Sequence, residues 1–211
     1  WQLDRLAFQH FVLAAYGAAD LPAVEALAGF EHRLSPWARA LLALTLEDLS
    51  PGSPAAQTIL SDLGAEAMRT ATGAHWEFSQ DPEGRLAALW NMHTTLSNSA
   101  VVVYALAQRD PGAPLLAEAL RYLMAHRDAH GWWGTTYTTA WNLMALTEVV
   151  RGTGDFSFSA SLNKNPIAEG QAGGPEQLTP VTAQVPIQRL YPDYPNALLI
   201  ERSPGQGRLY Y

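Results

Sequence analysis

The stretch Gly131-Trp132-Trp133-Gly134-Thr135-Thr136-Tyr137-Thr138-Thr139-Ala140-Trp141-Asn142, continued by Leu143-Met144-Ala145-Leu146-Thr147-Glu148-Val149-Val150, holds the end of one helix, a turn and the start of another. The segment before it finishes in His126, Arg127 and His130, cations suited to the negative end of a helix, and Gly131 supplies a left-handed exit. Thr135 or Thr136 can cap the next helix by accepting from its free amides. Behind that cap Tyr137, Ala140, Trp141, Met144, Ala145 and Val149 fall at three-and-four spacing, and Leu143, Leu146 and Val150 fill much of the remaining face. A helix apolar around nearly its whole circumference is expected to be buried.

The same signals recur upstream. Residues 3–16 predict a helix stopped by Gly17; Asp20-Leu21-Pro22 opens a second, with Asp as cap and Pro in the first turn, running to Arg33. Ser35-Pro36 repeats that start for a helix over 37–49, and Pro51-Gly52-Ser53-Pro54 separates it from one over 55–70. Residues 74–84 lose the helical period and read as a loop with a short hairpin. Helices over 93–109 and 113–127 follow, joined by Asp110-Pro111-Gly112.

The first member of each pair is apolar all round and the second carries charge on one face, which predicts an inner layer built from the first members. An internal repeat agrees: Ala, four residues, Ala-Leu occurs at Ala38/Ala43-Leu44, Ala100/Ala105-Leu106 and Ala140/Ala145-Leu146, with a weaker copy at Ala7/Val12-Leu13. One helix-pair unit per roughly 30 to 40 residues is the signature of an α-hairpin array.

At Asp155 the period changes to two. Phe156, Phe158, Ala160 and Leu162 alternate with serines, and Asn163-Lys164-Asn165-Pro166 turns the chain. Residues 170–175 read as a flexible connection, and Val181, Ala183, Val185 and Ile187 alternate again, with Pro186 marking an edge or a strand end. Residues 197–202 and 208–211 flank Pro204-Gly205-Gln206-Gly207, a hairpin signal. The pattern gives a mainly α chain with a small antiparallel β-domain after it, incomplete because its last strand runs to the terminus without a stop.

Composition narrows function. With 211 residues and 48% hydrophobic content, the chain can bury one large core or a large and a small one. A net charge of -7 argues against nucleic acid or an anionic membrane as partner. The longest unbroken apolar run, residues 100–107, is too short to span a bilayer, and the N-terminus has no signal-peptide order. A start at Trp1 rather than Met reads as a chain excised from something larger. The absence of cysteine removes disulfides, thiolate nucleophiles and Cys-ligated metals.

A search for chemistry returns little. His126 and His130 have the i, i+4 spacing of metal ligands, but position 127 is Arg where a metalloprotease helix places Glu, so capping is the better reading. His126-Arg127-Asp128 spells part of a kinase catalytic loop with none of its companion motifs. A glycan-cleaving enzyme needs two carboxylates flanking one bond; the candidates are Glu77, Asp81 and Glu83, with Trp76, Trp132 and Trp133 as stacking surfaces. The alternative is solvated carboxylates and tryptophans packed between layers. No catalytic, cofactor-binding or metal-binding residue is assigned.

Several stretches together resemble one family. Gly131-Trp132-Trp133-Gly134-Thr135-Thr136 with Thr139-Ala140-Trp141 and Ala145-Leu146 resembles the last inner helix of the thioester domain of alpha-2-macroglobulin-like proteins. Gly205-Gln206-Gly207-Arg208-Leu209-Tyr210-Tyr211 resembles a strand of the β-domain downstream in bacterial members. Ala74-His75-Trp76-Glu77, the helix from His93 to Leu106, and Leu34-Ser35 before Ala43-Leu44 read similarly.

The resemblance implies the later half of an α/α toroid over residues 1–154 and part of a CUB-like β-sandwich over 155–211. It further implies a non-catalytic fragment of an exported, broad-spectrum proteinase inhibitor. Its partners would be proteinases, met through the parent protein, and the parent's neighbouring domains. In that family bait cleavage releases an internal thioester that acylates the proteinase. The Cys-x-Glu-Gln motif would lie upstream of Trp1, so no functional residue is carried over. His75, Trp76, Glu77 and Phe78, in the longest irregular segment, are the expected interdomain docking surface. Competing readings are a toroidal glycan-active enzyme and a helical interaction scaffold.

Overall fold

The computed structural model describes residues 2–78, 94–150, 156–172 and 181–205. Asp81, Glu83, Asp155 and the strand expected over 208–211 lie outside them. The chain divides into two compact units, Trp1–Val149 and Val150–Tyr211.

The first unit is a stack of helical hairpins: α1 (Gln2–Ala15), α2 (Leu21–Ala28), α3 (Pro36–Leu49), α4 (Pro54–Ala65), α5 (Thr95–Arg109), α6 (Pro114–Ala125) and α7 (Thr136–Val150). Helix α3 packs on both α1 and α5, with α4 behind it, while α6 backs α5. The inner layer expected from the apolar first members is present at α3 and α5, whereas α1 leaves Leu6, Phe8, Val12 and Leu13 exposed. Ala38, Leu41, Leu42, Ala43 and Leu46 of α3 are at most 1% exposed, as are Ala100, Val101, Val102 and Val103 of α5. Each large side chain so buried contributes about 2 kcal/mol relative to exposure.

Local chemistry sets the helix starts. Proline stands in the first turn of α2, α3, α4 and α6, where its missing N–H costs nothing. Thr94 and Ser97 form a reciprocal capping box on α5, and the Thr135 hydroxyl accepts from the Thr138 amide at 3.1 Å to open α7. Asp20 and Ser35, expected caps, make no side-chain bond to their helices. The Ser35 amide donates instead to Asp4 of α1 at 2.9 Å, and α3 is capped from α5.

Three helix ends differ from expectation. Helix α2 stops at Ala28, and Glu31–Arg33 forms a separate 3-10 turn. Helix α4 stops at Ala65, because β1 (Met68–Thr70) pairs antiparallel with β2 (Gly73–His75). The hairpin falls earlier than 74–84, and Gly73 explains its place. At φ +132 it lies so close to α6 that a Cβ would collide with the Glu118 carbonyl and the Tyr122 amide. Helix α6 ends at Ala125 with His126 as its C-cap, the His126 Nδ1 2.8 Å from the Tyr122 carbonyl, while Arg127 and His130 lie beyond it. Gly131, at φ +90, belongs instead to a turn in which Asp128 Oδ1 accepts from the amides of His130 and Trp132.

Helix α7 is not buried all round. It buries Trp141, Asn142, Ala145 and Val149, but Leu143 is 52% exposed and Met144 40%. Its apolar circumference exceeds what the described residues cover, which is why periodicity alone overstated its burial. Trp141 joins α7 to the stack, with its ring 5.9 Å from that of Tyr104 and 6.5 Å from that of Phe11.

In the second unit β3 (Phe156–Leu162) lies between β4 (Asn165–Ala172) and β5 (Leu198–Arg202), antiparallel to both. Asn163 and Lys164, at φ 52 and 69, form the two-residue turn between β3 and β4. Residues 181–186 form no strand despite their alternation, and Ile187–Arg189 is a 3-10 turn. Pro186 has no amide hydrogen to give a ladder, and hydrophobic alternation without a paired neighbour does not make a strand.

Candidate functional site

The residues singled out around His75 meet the helical stack at one point. The Trp76 ring is 1% exposed, and its Nε1–H donates to the Leu63 carbonyl at 2.6 Å. That carbonyl belongs to the last turn of α4, where helix acceptors have no partner of their own. The Trp76 amide donates to Ser99 Oγ at 3.0 Å. Asn98 Nδ2 donates to the carbonyls of Trp76 and Glu77, both at 3.0 Å, while its Oδ1 accepts from the Trp37 amide at 2.8 Å. One buried amide side chain thus ties the loop after β2 to the starts of α3 and α5.

His75 is 7% exposed and stacks on Tyr122 with centroids 4.5 Å apart and planes 13° from parallel. His126 lies against the same phenol at 4.2 Å, and its Nδ1 is 2.8 Å from the Tyr122 carbonyl. Burial, with the Glu77 charge as the smaller cause, raises the Tyr122 hydroxyl above its ordinary pKa.

The Trp132-Trp133 turn repeats the arrangement. Trp133 Nε1–H donates to the Leu123 carbonyl in the last turn of α6, again at 2.6 Å, and its amide donates to Thr139 Oγ1 of α7 at 3.1 Å. Each tryptophan closes the end of an outer helix onto the start of the next inner one. The Arg127 guanidinium sits 5.6 Å from the Trp133 ring centroid.

The four residues expected as a docking surface therefore divide. His75 and Trp76 are buried within the unit, Phe78 is half-buried and Glu77 is exposed. Of the tryptophans offered as stacking surfaces, Trp76 and Trp133 are consumed by packing, at 1% and 3% exposure, and Trp132 is 49% exposed. No group of three or more His, Cys, Asp or Glu stands in a metal-binding arrangement among the described residues. Asn98, Ser99, Trp76, Trp133 and Thr139 bind backbone groups here.

Sequence reasoning missed Asn98, Ser99 and Thr139. A signal for the last two existed: each immediately precedes the first Ala of the repeat, at Ala100 and Ala140, with a tryptophan in the loop before its helix. A second polar junction was also missed. Arg39, 8% exposed at its side chain, pairs with Glu31 at 2.8 Å and with Glu66 at 2.7 Å, linking the 3-10 turn, α3 and the end of α4.

No protein-family profile matches the sequence, and no characterised protein matches it by sequence. Among solved structures, Escherichia coli alpha-2-macroglobulin activated by porcine elastase is similar, with a TM-score of 0.55 and 14% identity. The likeness covers 97% of this chain and 16% of that one, so the chain spans about a sixth of its structural neighbour. At that identity it is a likeness of fold.

Proposed function

We propose that this chain is a non-catalytic part of an alpha-2-macroglobulin-like, broad-spectrum proteinase inhibitor. In this reading residues 1–154 belong to a toroidal thioester-type domain and 155–211 to a CUB-like β-domain, and the parent protein is exported. The observation carrying the proposal is that the fold likeness runs through 97% of the chain, across both the helical stack and the sheet that follows it. The chain's part would be mechanical. A thioester must stay hidden from water until triggered, and helices clasped at their ends by buried hydrogen bonds provide a wall that does not breathe.

The segment around Glu77 and Phe78 would then meet a neighbouring domain of the parent, with His75 and Trp76 fixing it from beneath. Glu77→Arg in the parent is expected to speed loss of trapping during storage while leaving the helical stack folded. Unchanged storage life would remove the docking role.

The proposal as a whole is tested on the full-length parent by intact mass and free-thiol assay before and after methylamine, and by trapping of elastase. Trapping leaves a proteinase active on small peptides and inactive on large proteins. Mass gain with a new thiol, together with that selectivity, supports a covalent trap. Selectivity without mass gain supports a trap that needs no thioester. Absence of both sinks the proposal.

A further inference from the structure

Two adjoining depressions of about 330 and 290 Å³ open on the first unit, running along α4. Leu60 of α4 and Arg109 at the end of α5 line both, so together they form one groove between the ends of α3 and α5 on one side and α4 and the start of α6 on the other. Its apolar lining comes from Ala43, Leu44, Leu60, Leu106, Leu115 and Leu116. Leu60 and Leu116 are buried by the fold, whereas Leu44, Leu106 and Leu115 remain partly open.

The charged lining is unequal. Glu47 and Asp48 of α3 and Asp110 after α5 supply three carboxylates against the single guanidinium of Arg109, an excess of two negative charges (1 − 3 = −2). Arg109 is committed to Glu47 at 3.5 Å, which leaves the acidic character of the rim to Asp48 and Asp110, both exposed. An apolar trough with acidic edges selects for an apolar side chain flanked by cations and repels acidic segments.

We propose that this groove is a docking site for a basic amphipathic segment of a partner protein. An aliphatic or aromatic side chain of that segment enters the trough at Leu44, Leu60 and Leu106, and a neighbouring Lys or Arg pairs with Asp48 or Asp110. The site is independent of the thioester reading.

The test uses the intact chain and a labelled amphipathic helical peptide of Leu and Lys, with a partner peptide in which Glu replaces Lys. Binding is followed by fluorescence anisotropy, and the contact is mapped by amide chemical shifts. The Lys peptide is expected to bind saturably, to move the amides of Gln57, Ser61, Gly64 and Gln108, and to weaken with rising salt. Two variants probe the contact. Asp48→Lys inverts an exposed rim charge. Gly64→Phe projects a ring into the trough from a position where a Cβ would stand 3.9 Å from Leu115, an ordinary contact, and where glycine is a poor helix former.

Each variant is expected to stay folded and to weaken the Lys peptide by at least about tenfold. Equal affinity for the Glu peptide, binding that neither variant changes, or absence of saturable binding would overturn the proposal. So would light scattering showing a dimer of this chain that Gly64→Phe dissolves, since the occupant would then be a second copy.

Discussion

The amide of Trp37 donates to Oδ1 of Asn98 at 2.8 Å, across 61 residues of chain. Trp37 sits in the first turn of α3, where helix amides lack internal acceptors, so a side chain of α5 caps a helix in another hairpin. The other end of the same side chain donates to the carbonyls of Trp76 and Glu77. Asn98→Ala leaves one amide and two carbonyls without these partners, at a site 1% exposed. The expected loss is about 3 kcal/mol or more of unfolding free energy, measured by urea titration. Asn98→Asp keeps the acceptor but sets a buried carboxylate against two carbonyl oxygens, so it should cost at least as much as Ala at neutral pH. A loss under about 1 kcal/mol for Ala would show that water replaces these bonds.

The two tryptophan clasps give a paired prediction. Trp76→Phe and Trp133→Phe keep an aromatic ring but remove the Nε1–H together with the volume of the second indole ring, leaving the Leu63 or Leu123 carbonyl short of a donor beside a small cavity. Each should cost about 2 to 3 kcal/mol from the lost bond and the cavity together, and the double variant should cost close to the sum, because the clasps share no partner. Strong non-additivity would mean that the hairpins do not hold independently. Acrylamide quenching separates the rings: Trp132→Phe should remove readily quenched emission, and Trp133→Phe should not.

The legible parts of this fold were those written locally. Proline start signals and Pro-Gly breaks located α3, α5 and α6 to within a few residues. The small-residue repeat marked buried inner positions at Ala38 and Ala100, whereas its third copy, Ala140, is exposed and only Ala145 of that copy is buried. What stayed hidden depends on partners far along the chain. Met68 and Arg69 read as helix because nothing in a local window says that Gly73 must pass against the backbone of α6. Asn98 read as one polar residue in an apolar helix, since its meaning resides in Trp37 and Trp76. The alternation over 181–187 overpredicted a strand for the complementary reason: the pattern was present, and no strand pairs with it among the described residues.

Arg39 provides a test of how buried charge is tolerated here. Its guanidinium is enclosed, while the side chains of Glu31 and Glu66 are 28% and 51% exposed. Removing the cation leaves two carboxylates that water can reach, so Arg39→Met should cost about 1 kcal/mol. Removing both counter-charges leaves an enclosed cation, so Glu31→Gln with Glu66→Gln should cost about 3 kcal/mol. Chemical denaturation at neutral pH checks the order. The reverse order would mean that the aliphatic stem of Arg39, rather than its charge, holds this junction together.

Alkaline pH should weaken the helical stack through two phenols. Tyr122 is raised above its ordinary value of 10.0 by burial first and by the Glu77 charge second; Tyr137 is raised by burial, with Trp141 opposing. Both folded-state values exceed the unfolded one. As pH climbs past about 10, the unfolded chain loses these protons before the native state does, and unfolding free energy falls. Below that range the contribution is intact. Tyr122→Phe combined with Tyr137→Phe should flatten the decline, read as the slope of unfolding free energy against pH. An unaltered slope would assign alkaline loss to other groups.

The turn between β3 and β4 separates conformational cost from hydrogen bonding within two residues. Both Asn163 and Lys164 lie at positive φ, which glycine adopts without penalty and lysine does not. Lys164 makes no contact that the turn needs, so Lys164→Gly should stabilise the sheet by about 0.5 to 1 kcal/mol. Asn163 is different. Its amide donates to the Ala197 carbonyl at 2.9 Å, its Oδ1 accepts from the Ala197 amide at 3.0 Å, and its Nδ2 donates to Asn196 Oδ1 at 2.8 Å. These bonds fix the turn to the chain entering β5, so Asn163→Gly relieves strain but frees that approach, with a net loss of about 1 kcal/mol expected. Amide hydrogen exchange at Leu199 and Glu201, whose positions in the register bond to β3, reads both changes in the intact chain. Protection should rise in Lys164→Gly and fall in Asn163→Gly, and movement in the same direction would mean that backbone strain alone governs this turn.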